Sequence, residues 1–282
     1  MILKFKILSI LTLLLFVFSC SDKSKKISAI KEADMETQMS NAYKEGYFEL
    51  QNGDAIMAAK KFNEAELLFP QSSWAAQSAI MAAYAYYTQN YYGDSIYELE
   101  RYLKTYPNHK DKVYAHFLLG MCFYEKIIDE KKDLKSIIES KKQFQFIIKE
   151  YPESEFATDA KFKIGLINEI LAAKEMYLAR YYLDKSKWIP AINRFQKVIN
   201  DYNTTIYTEE ALHRLVEINY KLGMMEESKK YAKTLGYNYQ SSDWYKNTYV
   251  IFNKNYSDSI KELQKDKNKK IRLMKRFKGI FE

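Results

Sequence analysis

The side chains best suited to metal binding or nucleophilic catalysis are few in this sequence, and they lie far apart. The 282 residues include two cysteines and three histidines, at Cys20, Cys122, His109, His116 and His213. A disulfide framework or a cysteine-rich zinc site needs more of these residues at closer spacing. The sequence also has no glycine-rich phosphate loop, GxSxG motif or HExxH motif. We therefore predict that the protein is not an enzyme and uses no metal or cofactor.

The N-terminus is where covalent chemistry is expected. Lys4 and Lys6 precede an apolar run at residues 7–18, which is shorter than the ~20 residues of a membrane-spanning helix. A short positive segment followed by such a run is typical of a secretory signal peptide. Residues 1–19 are therefore predicted to be removed on export.

Cys20 stands directly after this predicted signal peptide. Val17 and Ser19, three and one residues before it, resemble a bacterial lipobox, although Phe18 between them is bulkier than usual. In such lipoproteins the cysteine thiol takes a diacylglycerol and the freed amine a further acyl chain, and each buried methylene contributes ~0.8 kcal/mol. We predict lipidation of Cys20 and a short tether at residues 20–37. An ordinary signal peptide with an incidental cysteine is the alternative.

The net charge of +8 is concentrated at the two ends of the chain. Residues 253–282 hold ten Lys and Arg against four Asp and Glu, a net charge of +6, and Lys4 and Lys6 supply the remainder. A nucleic-acid-binding protein usually presents a broad basic face, so no nucleic-acid partner is expected. We predict a solvated basic tail at residues 253–282, with contact to an anionic lipid surface or a partner as the alternatives.

An aromatic residue followed by proline or asparagine recurs along the chain at intervals of 35 to 51 residues. Between these markers, apolar residues recur every three or four positions, which is the spacing of amphipathic helices. Intervals in this range indicate a helical solenoid, and the tetratricopeptide repeat (TPR) has about 34 residues. The markers are Phe69-Pro70, Tyr106-Pro107, Tyr151-Pro152, Tyr202-Asn203 and Tyr237-Asn238.

Small and large residues within these intervals follow the TPR arrangement. Gly46 and Ala58 are small where two helices must approach closely, and Phe62 is large enough to fill the groove between neighbouring hairpins. Gly120 and Phe144 play the same parts two intervals later. The predicted fold is all-α, a TPR superhelical solenoid of about five helix hairpins.

The solenoid is predicted to span residues 38–252, with front repeats at 38–152 and back repeats at 153–252. Three departures from regular spacing are expected within it. They are an insertion at residues 129–136, one continuous helix at residues 154–186 that couples the two halves, and a closing helix at residues 242–252.

The repeats and the lipobox together resemble the BamD family, the TPR lipoproteins of the outer-membrane β-barrel assembly machinery. The resemblance covers residues 40–249. It implies a location on the periplasmic face of the outer membrane, which Ser21 rather than aspartate after the cysteine also favours. The segments that carry it are 83–87 (AYAYY), 102–109 (YLKTYPNH), 151–154 (YPES), 157–160 (ATDA), 179–182 (ARYY) and 188–195 (WIPAINRF).

The resemblance also implies two partners. Proteins of this family join the periplasmic POTRA domains of the barrel protein BamA, and they help to receive unfolded outer-membrane β-barrel precursors. Arg194 aligns with the family arginine that pairs with an acidic POTRA residue, and a solvated helix charge is the alternative. Because the neighbouring Phe195 is expected in the core, Arg194 is expected to point outward, so that its replacement would barely change stability.

Six aromatic residues in the front repeats are predicted to line a groove for the apolar, aromatic-ended sorting signal of a barrel precursor. Aromatic rings offer a large apolar area, and tyrosine adds a polar tip. Ordinary packing between repeats is the alternative for each of them, and Tyr86 is assigned to the core. The predicted groove residues are Tyr43, Tyr47, Trp74, Tyr84, Tyr87 and Tyr91.

Two other functions remain open from the sequence. An envelope TPR lipoprotein with a different partner would share both the anchor and the repeats. A nutrient-binding lipoprotein of the SusD type also uses TPR-like helices, but such proteins usually carry large insertions for a glycan site, and this chain has no room for them. Co-purification of a BamA-like protein from membranes would distinguish the leading hypothesis from both.

Overall fold

The computed structural model describes residues 34–127 and 134–253, and within them the chain forms helices and no β-strand. The predicted all-α class is therefore confirmed. The predicted signal peptide, Cys20, residues 21–33 of the tether and residues 254–282 of the basic tail lie outside the described residues. The helices are α1 (Met35–Gln51), α2 (Ala55–Leu68), α3 (Ser73–Thr88), α4 (Tyr92–Thr105), α5 (Lys112–Glu125), α6 (Lys135–Glu150), α7 (Glu155–Asp184), α8 (Trp188–Asp201), α9 (Thr208–Lys221), α10 (Met225–Asn238) and α11 (Asp243–Phe252).

The helices pack in pairs along the chain, and each pair packs on the next. The pairs are α1 with α2, α3 with α4, α5 with α6, α7 with α8, and α9 with α10. The first helices of successive pairs also touch, α3 against α5 and α5 against α7, and α11 covers α9 and α10 at the end. A stack of two-helix units in which each contacts its neighbours is a solenoid, so the predicted TPR architecture of about five hairpins is confirmed.

Close approach within the hairpins depends on a glycine facing a phenylalanine. A Cβ atom added at Gly46 would lie 2.9 Å from the ring of Phe62, and one added at Gly120 would lie 2.8 Å from the ring of Phe144. Both rings are fully buried, as is Phe195 in the fourth hairpin. The small and large positions predicted from the sequence are therefore in contact as expected.

A buried serine ties the two helices together in three hairpins. It lies four residues before the large groove-filling position in the second and third hairpins, where the first and fourth hairpins have Ala58 and Ala191. Each hydroxyl satisfies a carbonyl in the middle of the facing helix, which removes the cost of burying the hydroxyl unpaired. The donors and acceptors are Ser95 to Ala83 (2.9 Å), Ser140 to Gly120 (2.9 Å) and Ser228 to Val216 (3.0 Å).

Four of the hairpin turns contain a residue with positive φ just before the second helix. These residues are Gly53 (81°), Asn90 (64°), Ser186 (53°) and Gly223 (78°). Glycine adopts this conformation without a Cβ clash, and asparagine tolerates it better than most residues. The connection between α5 and α6 includes residues 128–133, so the predicted insertion lies largely outside the described residues.

The second helix of every hairpin ends at an aromatic C-cap, namely Phe69, Tyr106, Tyr151, Tyr202 and Tyr239. Four of these were predicted, but the fifth marker, Tyr237-Asn238, was wrong. The helix α10 continues through Asn238, and the backbone N–H of Tyr239 donates to the carbonyl of Leu235 at 2.9 Å. Asparagine does not stop a helix as firmly as proline does, which leaves Tyr237 85% exposed within the last turn.

The long helix α7 links the two halves of the solenoid. Its 30 residues extend about 45 Å at ~1.5 Å per residue, which confirms the prediction of one continuous helix. Ile167 in its first half packs in the same core as Phe144, whereas Met176 in its second half packs in the core of Phe195. Neither α7 nor any other described helix combines the length and apolar composition needed to cross a membrane.

Candidate partner-binding surfaces

Arg194 lies on α8, where the buried Phe195 beside it anchors the helix in the core. Its Nη1 donates a 2.9 Å hydrogen bond to Oε2 of Glu175 on α7. Glu175 is 9% exposed, while the Arg194 side chain is 39% exposed. The side chain therefore reaches the surface as expected, but it also neutralises a nearly buried carboxylate. A glutamate at this position would face Glu175, so the structure leads us to expect that Arg194→Glu lowers stability, in contrast to the expectation from sequence.

The guanidinium of Arg194 keeps most of its hydrogen-bonding capacity. Arginine has five N–H donors, and the bond to Glu175 is the only one that Arg194 makes to the described residues. An open pocket beside it is lined by Tyr182, Ile189 and Pro190 among others, and Ile189 is 64% exposed. An apolar rim around a half-exposed guanidinium suits a partner that offers a carboxylate next to an apolar side chain.

The six predicted groove residues do not form one cluster, and three of them gather at the start of the solenoid. The ring of Tyr43 lies edge-on to Phe62 at 5.2 Å and to Trp74 at 5.4 Å between ring centroids. Tyr47 follows one turn after Tyr43 on α1. Trp74 and Tyr47 are 50% and 49% exposed, so this group presents aromatic surface to solvent.

Two more of the six, Tyr84 and Tyr87, lie at the other end of α3. Trp74 and Tyr87 are thirteen residues apart on one helix, which separates them by about 20 Å. Both tyrosines are half-buried against the core that contains Leu99, and burial raises the pKa of Tyr87. Packing between the second and third hairpins accounts for most of their surface.

Tyr91, the sixth residue, lies in the turn before α4 and is 44% exposed. Its ring lies edge-on to Tyr86, with 6.4 Å between centroids. Tyr86 is half-buried against the core of the first hairpin rather than fully buried, so its assignment to the core is only partly right. Tyr114 on α5 was not among the predicted groove residues. It packs against the same core as Tyr84 and Tyr87, and burial raises its pKa to about 12.

The three histidines all bond within the fold. The Nδ1 atom of His109 lies 2.8 Å from the Tyr102 hydroxyl, that of His116 2.8 Å from Gln143, and that of His213 2.8 Å from Thr248. Among the described residues, no three His, Cys, Asp or Glu side chains are placed to hold a metal.

Cys122 is buried and forms no disulfide. Its thiol donates to the Ser95 hydroxyl at 3.2 Å. Burial raises the pKa of the thiol to about 11, so the reactive thiolate form is scarce near neutral pH.

The front repeats also contain a charged network that was not predicted from the sequence. Arg101 on α4 pairs with Glu66 on α2, at 2.6 Å between Nη2 and Oε2, and with Glu98 at 2.9 Å between Nε and Oε2. The hydroxyl of Tyr106 donates to Oε1 of Glu66 at 2.8 Å. Glu66 and Glu98 are only 6% and 8% exposed. Arg101 and Glu66 stand 35 residues apart, too far for a local spacing to indicate the pair.

The amino-acid sequence matches known proteins of one family over most of its length. A family model named YfiO and described as an outer membrane lipoprotein matches residues 35–235. A protein from Caulobacter vibrioides named outer membrane protein assembly factor BamD is 35% identical over 239 residues, which are 85% of this chain and 77% of that one. The chain belongs to the BamD family. A BamD protein from Rickettsia prowazekii is 36% identical over 84% of this chain and 92% of its own length.

Membership in the BamD family gives the chain a role in the assembly of outer-membrane proteins and associates it with the outer membrane. Among solved structures, the TPR2AB domain of yeast Sti1 in an Hsp90 complex covers 80% of this chain and 85% of its own, at 13% identity. Its TM-score of 0.41 is too low to support a conclusion.

Proposed function

We propose that this BamD-family chain is a lipid-anchored scaffold on the periplasmic face of the outer membrane. Its back repeats would bind the POTRA domains of a BamA-like protein, and its front repeats would bind unfolded β-barrel precursors. Family membership supports the general role. The observation that carries the BamA part is the half-exposed guanidinium of Arg194, which is held at the surface by Glu175.

Arg194 is suited to join two carboxylates. Glu175 occupies Nη1, which leaves Nε and Nη2 on the other edge of the guanidinium for a bidentate pair with an acidic POTRA residue. The existing pair also fixes the side chain, so less conformational freedom is lost when the partner binds. Removal of one partner of such an interfacial pair costs about 2–5 kcal/mol, because the other charge is left without a counterion.

The test compares substitutions at Arg194 in the full-length lipoprotein. Arg194→Ala should abolish co-purification of the BamA-like protein. Arg194→Lys should weaken it, because a lysine can neutralise Glu175 but cannot also form a bidentate pair. Lys149→Glu is the control, since Lys149 is 82% exposed on α6 in the front half.

A compensating change of the acidic POTRA residue to arginine should restore recovery with Arg194→Glu. Full recovery of the BamA-like protein with both Arg194→Ala and Arg194→Lys would remove this residue from the interface. Recovery of a different envelope protein instead of BamA would favour the alternative scaffold function.

For precursor binding, the exposed pair Tyr47 and Trp74 is the best-placed part of the predicted groove. A photo-crosslinker at either position should label a peptide from the C-terminus of a barrel protein. A crosslinker at Tyr237, which is 85% exposed on α10, is the control. Labelling that is confined to positions in the back repeats would contradict the proposed front groove.

The anchor is tested by Cys20→Ala. Because acyl chains rather than protein contacts are proposed to hold the chain, the variant should leave the outer-membrane fraction after a salt wash in cells that lack the Arg194 interaction. Retention of the variant under those conditions would refute lipidation at this cysteine as the anchor.

A further inference from the structure

The groove between α2 and α4 in the front has an equivalent between α8 and α10 in the back. Phe62 and Phe195 fill the same repeat position, so Asn63 corresponds to Gln196, and Glu66 to Ile199. Both grooves have a hydrogen bond from this amide position to the facing helix. The Asn63 amide donates to Glu98 at 3.2 Å, and the Gln196 amide donates to the Tyr231 hydroxyl at 2.9 Å.

The charged residues of the front groove are replaced by neutral ones in the back. Ser95 and Ser228 form equivalent bonds to the facing helix. Counted from them, Glu98 corresponds to Tyr231, and Arg101 corresponds to Thr234. A short hydroxyl cannot span the space that a guanidinium and two carboxylates fill in the front.

The result is an open cavity of about 790 Å³ between α8 and α10, which we name the α8–α10 groove. Its size falls within the range of ~300–1,000 Å³ that is usual for small-molecule sites. Lys230 is the one charged residue that lines it, and Lys230 lies 3.8 Å from Glu227.

Three amides around the groove are available to a ligand. Asn200, Asn203 and Asn238 are exposed, and their side chains bond to no other described residue. Each amide can both donate and accept a hydrogen bond, and the Thr208 and Thr234 hydroxyls, which donate to backbone carbonyls, can still accept one. Tyr231 and Tyr239 add flat apolar ring surface beside these groups.

We propose that the α8–α10 groove binds a short neutral oligosaccharide. Sugar hydroxyls also donate and accept, so they match a lining of amides and hydroxyls, and the C–H faces of a sugar ring fit against tyrosine rings. A charged ligand would find no carboxylate and one cation, which already has a partner. This site goes beyond the assembly function and lies apart from Arg194, which the groove does not include.

The experiment measures binding of N-acetylglucosamine trimer and maltotriose to the full-length protein in a detergent without a sugar headgroup, by saturation-transfer NMR and calorimetry. At least one trisaccharide should bind saturably. The double variant Ile199→Glu, Thr234→Arg places the charges of the front network in the groove, at positions where an equivalent backbone already holds them. It should weaken binding at least about tenfold, a loss of about 1.4 kcal/mol.

Two further variants keep the test decisive. Asn200→Ala with Asn203→Ala removes two amides from exposed positions and should weaken binding while the melting temperature stays the same. Ile138→Glu adds a charge at an exposed position on α6, where the side chain is 55% exposed, and should leave binding unchanged.

Three results would overturn the proposal. They are no saturable binding of either sugar at about 10 mM, a concentration that would reveal millimolar affinity; equal binding by the wild type and both double variants; and preferential binding of an extended neutral peptide.

Discussion

Equivalent grooves in the front and back repeats have opposite interiors. Between α2 and α4, Arg101 joins two nearly buried carboxylates across the groove. Between α8 and α10, the same repeat positions carry Ile199, Tyr231 and Thr234, and a cavity remains. The repeat backbone and its small and large core positions are shared. The difference shows that residues outside the core pattern decide whether a groove stabilises the fold or is open to a ligand.

The largest expected effect is on the Arg101 network in the groove between α2 and α4. Arg101→Met would leave Glu66 and Glu98 buried without a counterion, so the free energy of unfolding should fall by about 3–5 kcal/mol. Thr234→Met, at the equivalent position in the back, is the control and should change it by about 0.5 kcal/mol or less. Urea denaturation followed by circular dichroism measures both. Equal losses in the two variants would break the comparison.

The space around a helix glycine should differ between Gly120, at the contact between α5 and α6, and Gly165 on the long helix α7. A methyl group at Gly120 would meet the buried ring of Phe144 at 2.8 Å, so Gly120→Ala should lower the free energy of unfolding by about 1–3 kcal/mol. A Cβ at Gly165 on α7 would meet nothing within 4 Å. Gly165→Ala should therefore stabilise the protein by about 0.5–1 kcal/mol. Thermal melting distinguishes the two signs, and a loss at both positions would contradict this reading of α7.

The Arg194–Glu175 pair is one of several arginine–carboxylate pairs in the back repeats, and we expect it to be weaker than the front network. Arg194 is 39% exposed and holds one carboxylate, so solvent screens part of the interaction. We expect Arg194→Ala to lower the free energy of unfolding by about 1 kcal/mol, less than Arg101→Met does. A loss as large as that of Arg101→Met would show that Arg194 is mainly structural, which would also weaken its proposed role in partner binding.

The last effect concerns acid stability and a carboxylate on α9. Burial alone would raise the pKa of Glu217, but a 2.6 Å hydrogen bond from Arg214 and the His213 ring at 3.6 Å outweigh it and lower the pKa to about 2. A carboxylate with a lowered pKa stabilises the fold above its unfolded value of 4.5, and this contribution is lost as the pH falls toward 2.

Glu217→Gln should therefore reduce the dependence of the melting temperature on pH between these values. Glu226→Gln, at a side chain that is 87% exposed, is the control and should leave the dependence intact. A wild-type melting temperature that does not change between pH 4.5 and pH 2 would contradict the assignment.

The core of the fold could be predicted because its signals are local. Gly46 and Phe62, the long helix α7 and four of the five aromatic helix ends follow from residue spacing within one hairpin. The fifth end, at Tyr239, was misplaced by two residues, because asparagine is a weaker stop signal than proline. Helix boundaries depend on a few competing backbone bonds, so they are less certain than the presence of the helix.

The candidate sites were harder to predict because their residues come from different hairpins. The six predicted groove residues all belong to the first two hairpins, yet Trp74 and Tyr87 lie at opposite ends of α3. The surface position of Arg194 was predicted, but its bond to Glu175 was not, since that pair crosses from α8 to α7 over 19 residues. The Arg101 network and the α8–α10 groove could not be anticipated without knowing which helices lie side by side.

The helices, their pairing into hairpins and the family could be inferred from the order of the amino acids, because small and large residues at helical spacing act between neighbours in the chain. The tertiary structure alone decided which charges meet and which grooves stay open. Those outcomes depend on how one hairpin stacks on the next, and side chains outside the core pattern then fill the space between α2 and α4 while they leave the space between α8 and α10 empty. A difference of a few side chains at equivalent positions is enough, because the Arg101 guanidinium reaches Glu66 on the facing helix, whereas the short Thr234 side chain bonds to the Lys230 carbonyl of its own helix.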